Sequence, residues 1–179
     1  METLVLTVIG DDRPGLVSAL SSRLTARGAL WERSQLLRLA GKFAGIIEVV
    51  VPAPEVDDLV ADLRGLGAEG LDVTVARAGA SEQPAAQRLS LELVGADRPG
   101  IVAEISALLS ERRISIEELA TSVTEAPMAG GMLFEAHAVL AAPADADGSA
   151  LRAALESLAD ELMVDIELAD GADGGSRDG

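Results

Sequence analysis

Two copies of a short turn sequence carry the residues of this chain that are best suited to hold a small ligand. Gly10–Val17 reads Gly-Asp-Asp-Arg-Pro-Gly-Leu-Val, and 85 positions later Gly95–Val102 reads Gly-Ala-Asp-Arg-Pro-Gly-Ile-Val. Six of the eight positions are identical, and one of the two changes is Leu to Ile. Because such a repeat indicates a duplicated structural unit, each turn is interpreted together with the elements around it.

Each turn joins a strand-like run to a helix-like run, which brings free backbone N–H groups and the positive end of a helix dipole together. This position suits a small anion such as a carboxylate, while Asp12 and Asp97 beside it could bind an ammonium group. Together they would hold an α-amino acid. An equally compatible alternative is that Pro-Gly starts a helix, Asp solvates its end and nothing binds. Four glycines would let a ligand approach the backbone closely: Gly10, Gly15, Gly95 and Gly100.

The other charged residues of the turns have competing interpretations. Arg13 and Arg98 could pair with a ligand carboxylate or with a neighbouring acid, and a surface ion pair is the commoner outcome. The consecutive acids Asp11 and Asp12 suggest a cation site. We reject that site because Ala96 replaces the first acid in the second copy and no calcium-loop spacing follows.

Catalytic and metal-binding chemistry has little support in the sequence. The only histidine, His137, lies in an alternating strand without a Ser or Cys nucleophile nearby, so we expect a hydrogen-bonded sheet residue. The absence of cysteine excludes disulfides and thiolate metal sites, and no phosphate-binding or zinc-ligand pattern occurs. We therefore expect no enzymatic activity, no cofactor and no metal. Trp31 and Phe43 are expected to be core or interface anchors.

Apolar periodicity predicts the same order of elements in both halves, β-α-β-β-α-β. Pro14 fits the first position of a helix, so the first helix is predicted to begin there. The predicted elements of the first half are a strand at Leu4–Ile9, a helix from Pro14 to about Gly28, strands at Leu30–Leu39 and Phe43–Val51, a helix opened by Pro54 and ended by Gly67 and Gly70, and a strand at Leu71–Val75.

In the second half, the predicted elements are a strand around Leu89–Leu93, a helix with Ile101–Leu109 as its apolar stripe, a strand at Ile114–Thr124, a turn at Pro127–Gly131, a strand at Met132–Leu140, a helix containing Leu151–Leu158 and a strand at Met163–Leu168. The polar, proline-containing stretch Ala78–Gln87 is interpreted as a linker. The predicted domains are therefore 1–77 and 88–169, followed by a disordered Gly/Asp-rich tail at 170–179.

The predicted fold class is α+β, with two tandem ferredoxin-like units. Two helices should cover one face of each four-stranded antiparallel sheet. The other face and at least one sheet edge need cover, which a second copy of the domain could supply, either within the chain or in a homodimer.

The distribution of charge argues against direct contact with nucleic acid. The net charge is -16; residues 1–77 hold 8 basic and 11 acidic side chains, and residues 88–169 hold 5 basic and 15 acidic. Such a field repels phosphate backbones, which proteins bind largely through Lys and Arg. No apolar run approaches the ~20 residues of a membrane span, and the start has no signal-peptide pattern, so we expect a soluble cytoplasmic protein without membrane contact.

The two Asp-Arg-Pro-Gly turns, each set in a β-α-β-β-α-β unit, resemble the ACT domain. Ile114–Leu119 also resembles the opening of the second strand in that family. The resemblance covers about residues 3–77 and 88–169. Two such domains without an attached catalytic domain resemble the glycine cleavage system transcriptional repressor family.

The resemblance implies a ligand site at an interface between paired domains, with contacts from the turn and from the start of the second strand. The polar residue at the start of that strand is Ser115 in copy two but Leu30 in copy one, which favours the second turn as the working site. The implied ligand-binding residues are Asp12, Arg13, Pro14, Gly15 and Leu16 in copy one, and Asp97, Arg98, Pro99, Gly100, Ile101 and Ser115 in copy two.

Three functions remain open from the sequence. The first is an amino-acid-sensing regulator that acts through a protein partner. The repressor resemblance implies glycine or serine as the ligand, a transcription factor as the partner and glycine and one-carbon metabolism as the process. The second is an interaction module that senses nothing. The third is a regulatory subunit acting in trans on an amino-acid metabolic enzyme.

Overall fold

The structure is a computed structural model that describes residues 1–79, 86–126 and 130–170. It divides into two compact units, Met1–Ser81 and Glu82–Gly179, each with the predicted order β-α-β-β-α-β. Most of the predicted linker, part of the Pro127–Gly131 turn and the tail after Asp170 lie outside the described residues.

The first unit contains four strands, two α-helices and two short 3-10 segments. The strands are β1 (Glu2–Asp11), β2 (Leu30–Leu39), β3 (Lys42–Val51) and β4 (Leu71–Arg77); the helices are α1 (Leu16–Ala26) and α2 (Val56–Gly65); the 3-10 segments are Ala53–Glu55 and Leu66–Glu69.

The second unit repeats the order of strands and α-helices, with three of its four strands longer than their counterparts. Its strands are β5 (Ala86–Ala96), β6 (Ser115–Glu125), β7 (Met132–Pro143) and β8 (Val164–Asp170), and its helices are α3 (Ile101–Glu111) and α4 (Gly148–Leu162).

Each unit forms one antiparallel four-stranded sheet, in the order β2-β3-β1-β4 or β6-β7-β5-β8. Alternate residues of the central strands point to one face, where both helices of the unit pack on them. The first core includes Leu4, Leu6 and Val8 of β1 with Leu20 of α1 and Leu59 of α2. In the second core, Leu89, Leu91 and Leu93 of β5 pack with Ile105 of α3 and Leu155 of α4. The predicted ferredoxin-like α+β fold class is confirmed.

Some boundaries differ from the sequence prediction for local backbone reasons. α1 begins at Leu16 and not at Pro14, because Gly15 takes a left-handed conformation with φ 94°. Pro54 lies in a 3-10 turn, and α2 begins only at Val56. Met163 is the left-handed C-cap of α4, with φ 54°, so β8 begins one residue later. β5 begins at Ala86, inside the stretch interpreted as a linker.

The sheet face that points away from the helices differs between the units. By strand register, this outer face of the first sheet carries Leu37, Ile46 and Ile9, each about half exposed. On the second sheet, the corresponding face carries the exposed acids Glu92, Glu135 and Glu167. The repeat has therefore kept the core pattern while its outer sheet surfaces have diverged.

Candidate functional site

The first turn, Asp12–Gly15, connects β1 to α1 and leaves the helix N-terminus open. The Asp12 backbone N–H donates a hydrogen bond to the Gly41 carbonyl at 2.9 Å, which ties the turn to the β2–β3 hairpin. The Gly15 carbonyl accepts the Ala19 N–H at 2.8 Å and so begins the helix. No side chain caps α1, and a Cβ on Gly15 would meet no atom within 4 Å. The helix N-terminus is therefore uncapped, with open space beside Gly15.

The second turn, Asp97–Gly100, has the same backbone. The Asp97 N–H donates to the Met132 carbonyl at 2.8 Å, and Gly100 is left-handed with φ 101°. Its surroundings differ, because a Cβ on Gly100 would lie 3.2 Å from Oε1 of Glu104. The two predicted turns are thus equivalent in backbone geometry but not in the side chains over them.

Gly10 and Gly95 serve packing within each sheet. A Cβ on Gly10 would lie 2.3 Å from the Gly70 carbonyl oxygen, and one on Gly95 would lie 2.3 Å from Cγ1 of Val164. The neighbouring strand occupies the space that we assigned to a ligand at these two glycines. Close approach of a ligand remains possible at Gly15, where the space is open.

Basic residues of β2 and β3 surround the acids of the first turn. Arg38 Nη1 lies 3.2 Å from Asp12 Oδ2. Lys42 hydrogen-bonds Asp11 and thereby lowers the pKa of that carboxyl below its ordinary value. The Arg13 guanidinium donates to the backbone carbonyl of Glu69. Three basic side chains therefore accompany two carboxylates at this turn, which gives it a local excess of positive charge.

The second turn lacks this basic surround. In the first sheet Lys42 lies opposite Asp11, but the equivalent pair of the second sheet is Leu133 and Ala96. The position of Arg38 is occupied by Val123 in the second sheet. Arg98 Nη1 lies 3.6 Å from Glu104 Oε1, and the Asp97 side chain forms no ion pair among the described residues. Two carboxylates and one guanidinium thus leave the second turn with a local negative charge.

The structure does not bring Ser115 to the second turn. Ser115 pairs with Ala141, whose other neighbour is Arg88, whereas the turn follows Ala96 at the far end of β5. At about 3.3 Å per residue, the seven steps from Arg88 to Gly95 span about 23 Å. Leu30 lies at the corresponding far end of the first sheet, opposite Val50. The helix between the first two strands causes this separation, because it returns the chain to the end where β1 or β5 began.

Sequence reasoning missed the side chains that distinguish the turns, Arg38, Lys42 and Glu104. The first two reach the turn through strand pairing, which no local pattern reveals. Glu104 had a readable signal, since it lies two residues beyond the repeated stretch and corresponds to Ala19. A comparison of the copies beyond Val17 and Val102 would have found it.

His137 has a partner in the sheet, as we predicted. Its Nδ1 lies 2.5 Å from Oε1 of Glu92, on the outer face of the second sheet. Within residues 1–79, 86–126 and 130–170, no group of three or more His, Asp or Glu side chains could hold a metal ion. No helix in the part of the chain that the structure describes is long and apolar enough to cross a membrane.

Two ferredoxin-like units in tandem, each with a Gly-rich turn leading into an uncapped helix, define the class of protein. The sequence profile of the ACT domain matches residues 2–76 and 87–169. The chain belongs to the ACT-domain family, with two domains in tandem, and is an ACT-domain regulatory protein related to the glycine cleavage repressor.

Three relatives illustrate the similarity. The glycine cleavage system transcriptional repressor of Escherichia coli is 25% identical over 162 residues, which cover 89% of this chain and 85% of the repressor. A UPF0237 protein of Methanopyrus kandleri is 37% identical over 79 residues, or 44% of this chain and 82% of that protein. The solved structure of an unknown protein from Galdieria sulphuraria superposes with a TM-score of 0.85 at 29% identity, covering 96% of this chain and 99% of the other.

Proposed function

We propose that this protein senses a small amino acid, glycine or serine, and passes the signal to a protein partner. The observation that carries the proposal is the uncapped N-terminus of α1 beside the open space at Gly15. Backbone N–H groups at such a position favour a carboxylate. Arg13, Arg38 and Lys42 supply a positive surround that supports the same choice of ligand.

The ligand's ammonium group would bind the carboxylate of Asp12 in the first turn or of Asp97 in the second. A ligand without a large side chain suits a site made by a short exposed turn. Ser115 lies too far from Asp97 to contact the same small molecule within one domain. Our proposal therefore includes a homodimer, in which one chain presents the start of β6 to a turn of its partner.

The partner we propose is a DNA-binding transcription factor. The net charge of -16 opposes direct contact with DNA, and the relative from Escherichia coli is named a transcriptional repressor. Regulation then requires that the amino acid bind one arrangement of the protein and its partner more tightly than another. Regulation of glycine and one-carbon metabolism is the process that this relationship supports.

Isothermal titration calorimetry of the full chain tests the sensing step. We expect glycine and L-serine to give saturable heats, and glycinamide, which lacks the carboxylate, to give none. Affinity capture with and without glycine should then recover a DNA-binding protein in an amount that depends on glycine. Absence of heat with every common amino acid would refute sensing, and tight DNA binding by the chain alone would refute the indirect role.

One observation favours a second candidate, an interaction module that senses nothing. The charged side chains at the first turn already have partners: Asp11, Asp12 and Arg13 each contact a residue outside the turn. A ligand must displace or share these partners. If the protein is an interaction module that senses nothing, the titrations with amino acids give no heat. The captured partner is then recovered equally with and without glycine.

A further inference from the structure

The two turns differ at one position that decides which of them can accept a carboxylate. Ala19 follows Gly15 by four residues in α1, and Glu104 follows Gly100 by four residues in α3. The backbones agree: the carbonyl of each glycine accepts the N–H of this residue, at 2.8 Å and 2.9 Å. At this equivalent position of the helix, the first copy has the methyl group of Ala19 and the second has the carboxylate side chain of Glu104.

The carboxylate of Glu104 folds back over the second turn. Its Oε1 lies 3.2 Å from the point that a Cβ of Gly100 would occupy, and 3.6 Å from Nη1 of Arg98. The first turn has open space at the corresponding point beside Gly15. A negative charge near a helix N-terminus is favourable, so the dipole of α3 supports this arrangement of Glu104.

A ligand carboxylate at the second turn would meet a like charge in the place it needs. Glu104 also engages Arg98, the one basic side chain of that turn. Asp97 adds a second negative charge, with no basic partner among the described residues. At the first turn, by contrast, Arg38 and Lys42 offset both acids.

We propose that Glu104 is a specificity-determining residue that keeps carboxylate ligands out of the second turn, so that the first turn is the amino-acid site. This inference rests on the proposed function and sharpens it to one site per chain. It reverses the preference drawn from Ser115, which lies at the other end of its sheet. Glu104 acts as an internal substitute for the ligand carboxylate, and Ala19 leaves the equivalent place for an external one.

Substitutions at Glu104 and Ala19 test the proposal. The amide signals of Gly15 and Gly100 are followed by NMR while the full chain is titrated with glycine. In the natural chain, Gly15 should shift and saturate while Gly100 stays unchanged. Glu104→Ala should make Gly100 respond as well. Ala19→Glu should weaken the affinity for glycine, measured from the Gly15 titration curve, by about tenfold. This figure is an estimate for like charges a few ångströms apart near a protein surface.

Two neutral variants separate charge from size. Glu104→Gln keeps the length of the side chain and should open the second turn nearly as well as Glu104→Ala. Ala19→Gln controls for bulk at a half-buried position, and it should retain most of the glycine response that Ala19→Glu loses.

The possible failures are distinguishable. Equal shifts at Gly15 and Gly100 in the natural chain would overturn the role of Glu104 but leave amino-acid sensing intact. The same conclusion follows if Gly15 responds while Gly100 stays silent in both Glu104 variants. Silence of both glycines in every variant would overturn the inference together with the proposed function.

Discussion

At the scale of single residues, the glycines of the repeated turn have two different physical roles. Gly15 and Gly100 are left-handed and expose the start of a helix, whereas Gly10 and Gly95 allow two strands to approach. The sequence predicted the turn correctly but could not divide these roles, because the obstacle at Gly10 is Gly70, sixty residues away. The same reason hid the ion pairs of Arg38 and Lys42, which depend on strand register.

Gly10→Ala should destabilise the first domain. The added Cβ would lie 2.3 Å from a backbone oxygen, so the strands must separate. We expect a loss of about 1–3 kcal/mol, typical of overpacked positions, measured by urea unfolding. Gly65→Ala is the matched control: Gly65 is helical with φ -61° and open space around it, and alanine there should be neutral or slightly stabilising.

The second copy adds a further check on this explanation. At Gly95 the nearest obstacle is Cγ1 of Val164, so Gly95→Ala should cost less stability in a Val164→Ala background than in the natural chain. A Gly10→Ala variant as stable as the natural chain would contradict the packing role.

At the scale of elements, the helices differ in how their N-termini are closed. The side chain of Asp147 caps α4 by accepting hydrogen bonds from the Ser149 and Ala150 N–H groups at 3.0 Å and 3.1 Å. Neither α1 nor α3 has such a cap, and each begins at a left-handed glycine. The closed end of α4 stabilises that helix, whereas the open end of α1 is the one that our proposal assigns to a ligand.

The cap of α4 predicts a pH dependence of stability. Hydrogen bonds from Ser149 and Ala150 lower the pKa of Asp147 below its ordinary value. A carboxyl with a lowered folded pKa stabilises the fold above its unfolded pKa, about 3.9, and loses that contribution as the pH falls through the folded pKa. The difference in Tm between the natural chain and Asp147→Ala should therefore be constant above about pH 5 and shrink below about pH 4.

Asp147→Asn is the control for this prediction, because asparagine caps helices without a titrating charge. Its Tm should stay close to that of the natural chain at neutral pH. If the difference between the natural chain and Asp147→Ala grew on acidification, the cap would not be the titrating interaction.

Most elements were predictable because their signals are local. The short apolar run of β1, the alternating leucines of β5 and the apolar stripes of α1 and α3 indicate strands and helices from local sequence alone. Helix starts were less predictable: proline at position 14 is compatible with a first helical residue, but Gly15 after it has a positive φ as the last residue of the turn, so the helix begins at Leu16. Ser115 lies at the end of its sheet away from the turn for a topological reason, since α3 returns the chain to the end where β5 began.

At the scale of the whole molecule, charge is distributed unevenly between two similar cores. The second half carries 15 acidic and 5 basic side chains over residues 88–169, while the first half is closer to balance. In the first half, the single side chain of Arg27, just after α1, pairs with three acids in and before α2: Glu55, Asp58 and Asp62. Self-repulsion should therefore be strongest in the second domain, where fewer such pairs offset it.

Salt should consequently stabilise this protein. Raising sodium chloride from about 0.01 M to about 0.1 M shortens the Debye length from about 30 Å to about 10 Å, which screens repulsion among the carboxylates of the second domain. We expect a higher Tm by differential scanning calorimetry. Potassium chloride is the control, and an equal rise would show that ionic strength and not sodium binding is responsible. A fall in Tm would mean that the attractive pairs around Arg27 dominate.

The difference between Ala19 and Glu104 also bears on how tandem ACT domains evolve. Alanine codons ending in A or G become glutamate codons by a single nucleotide substitution. If one carboxylate decides whether a turn admits a ligand, a duplicated domain can lose or regain its site by one point mutation, with its core unchanged. Related chains should then vary in the number of functional sites far more readily than in fold. The residue four places after the second glycine of each turn, equivalent to Ala19 and Glu104, would show which turns have kept a site.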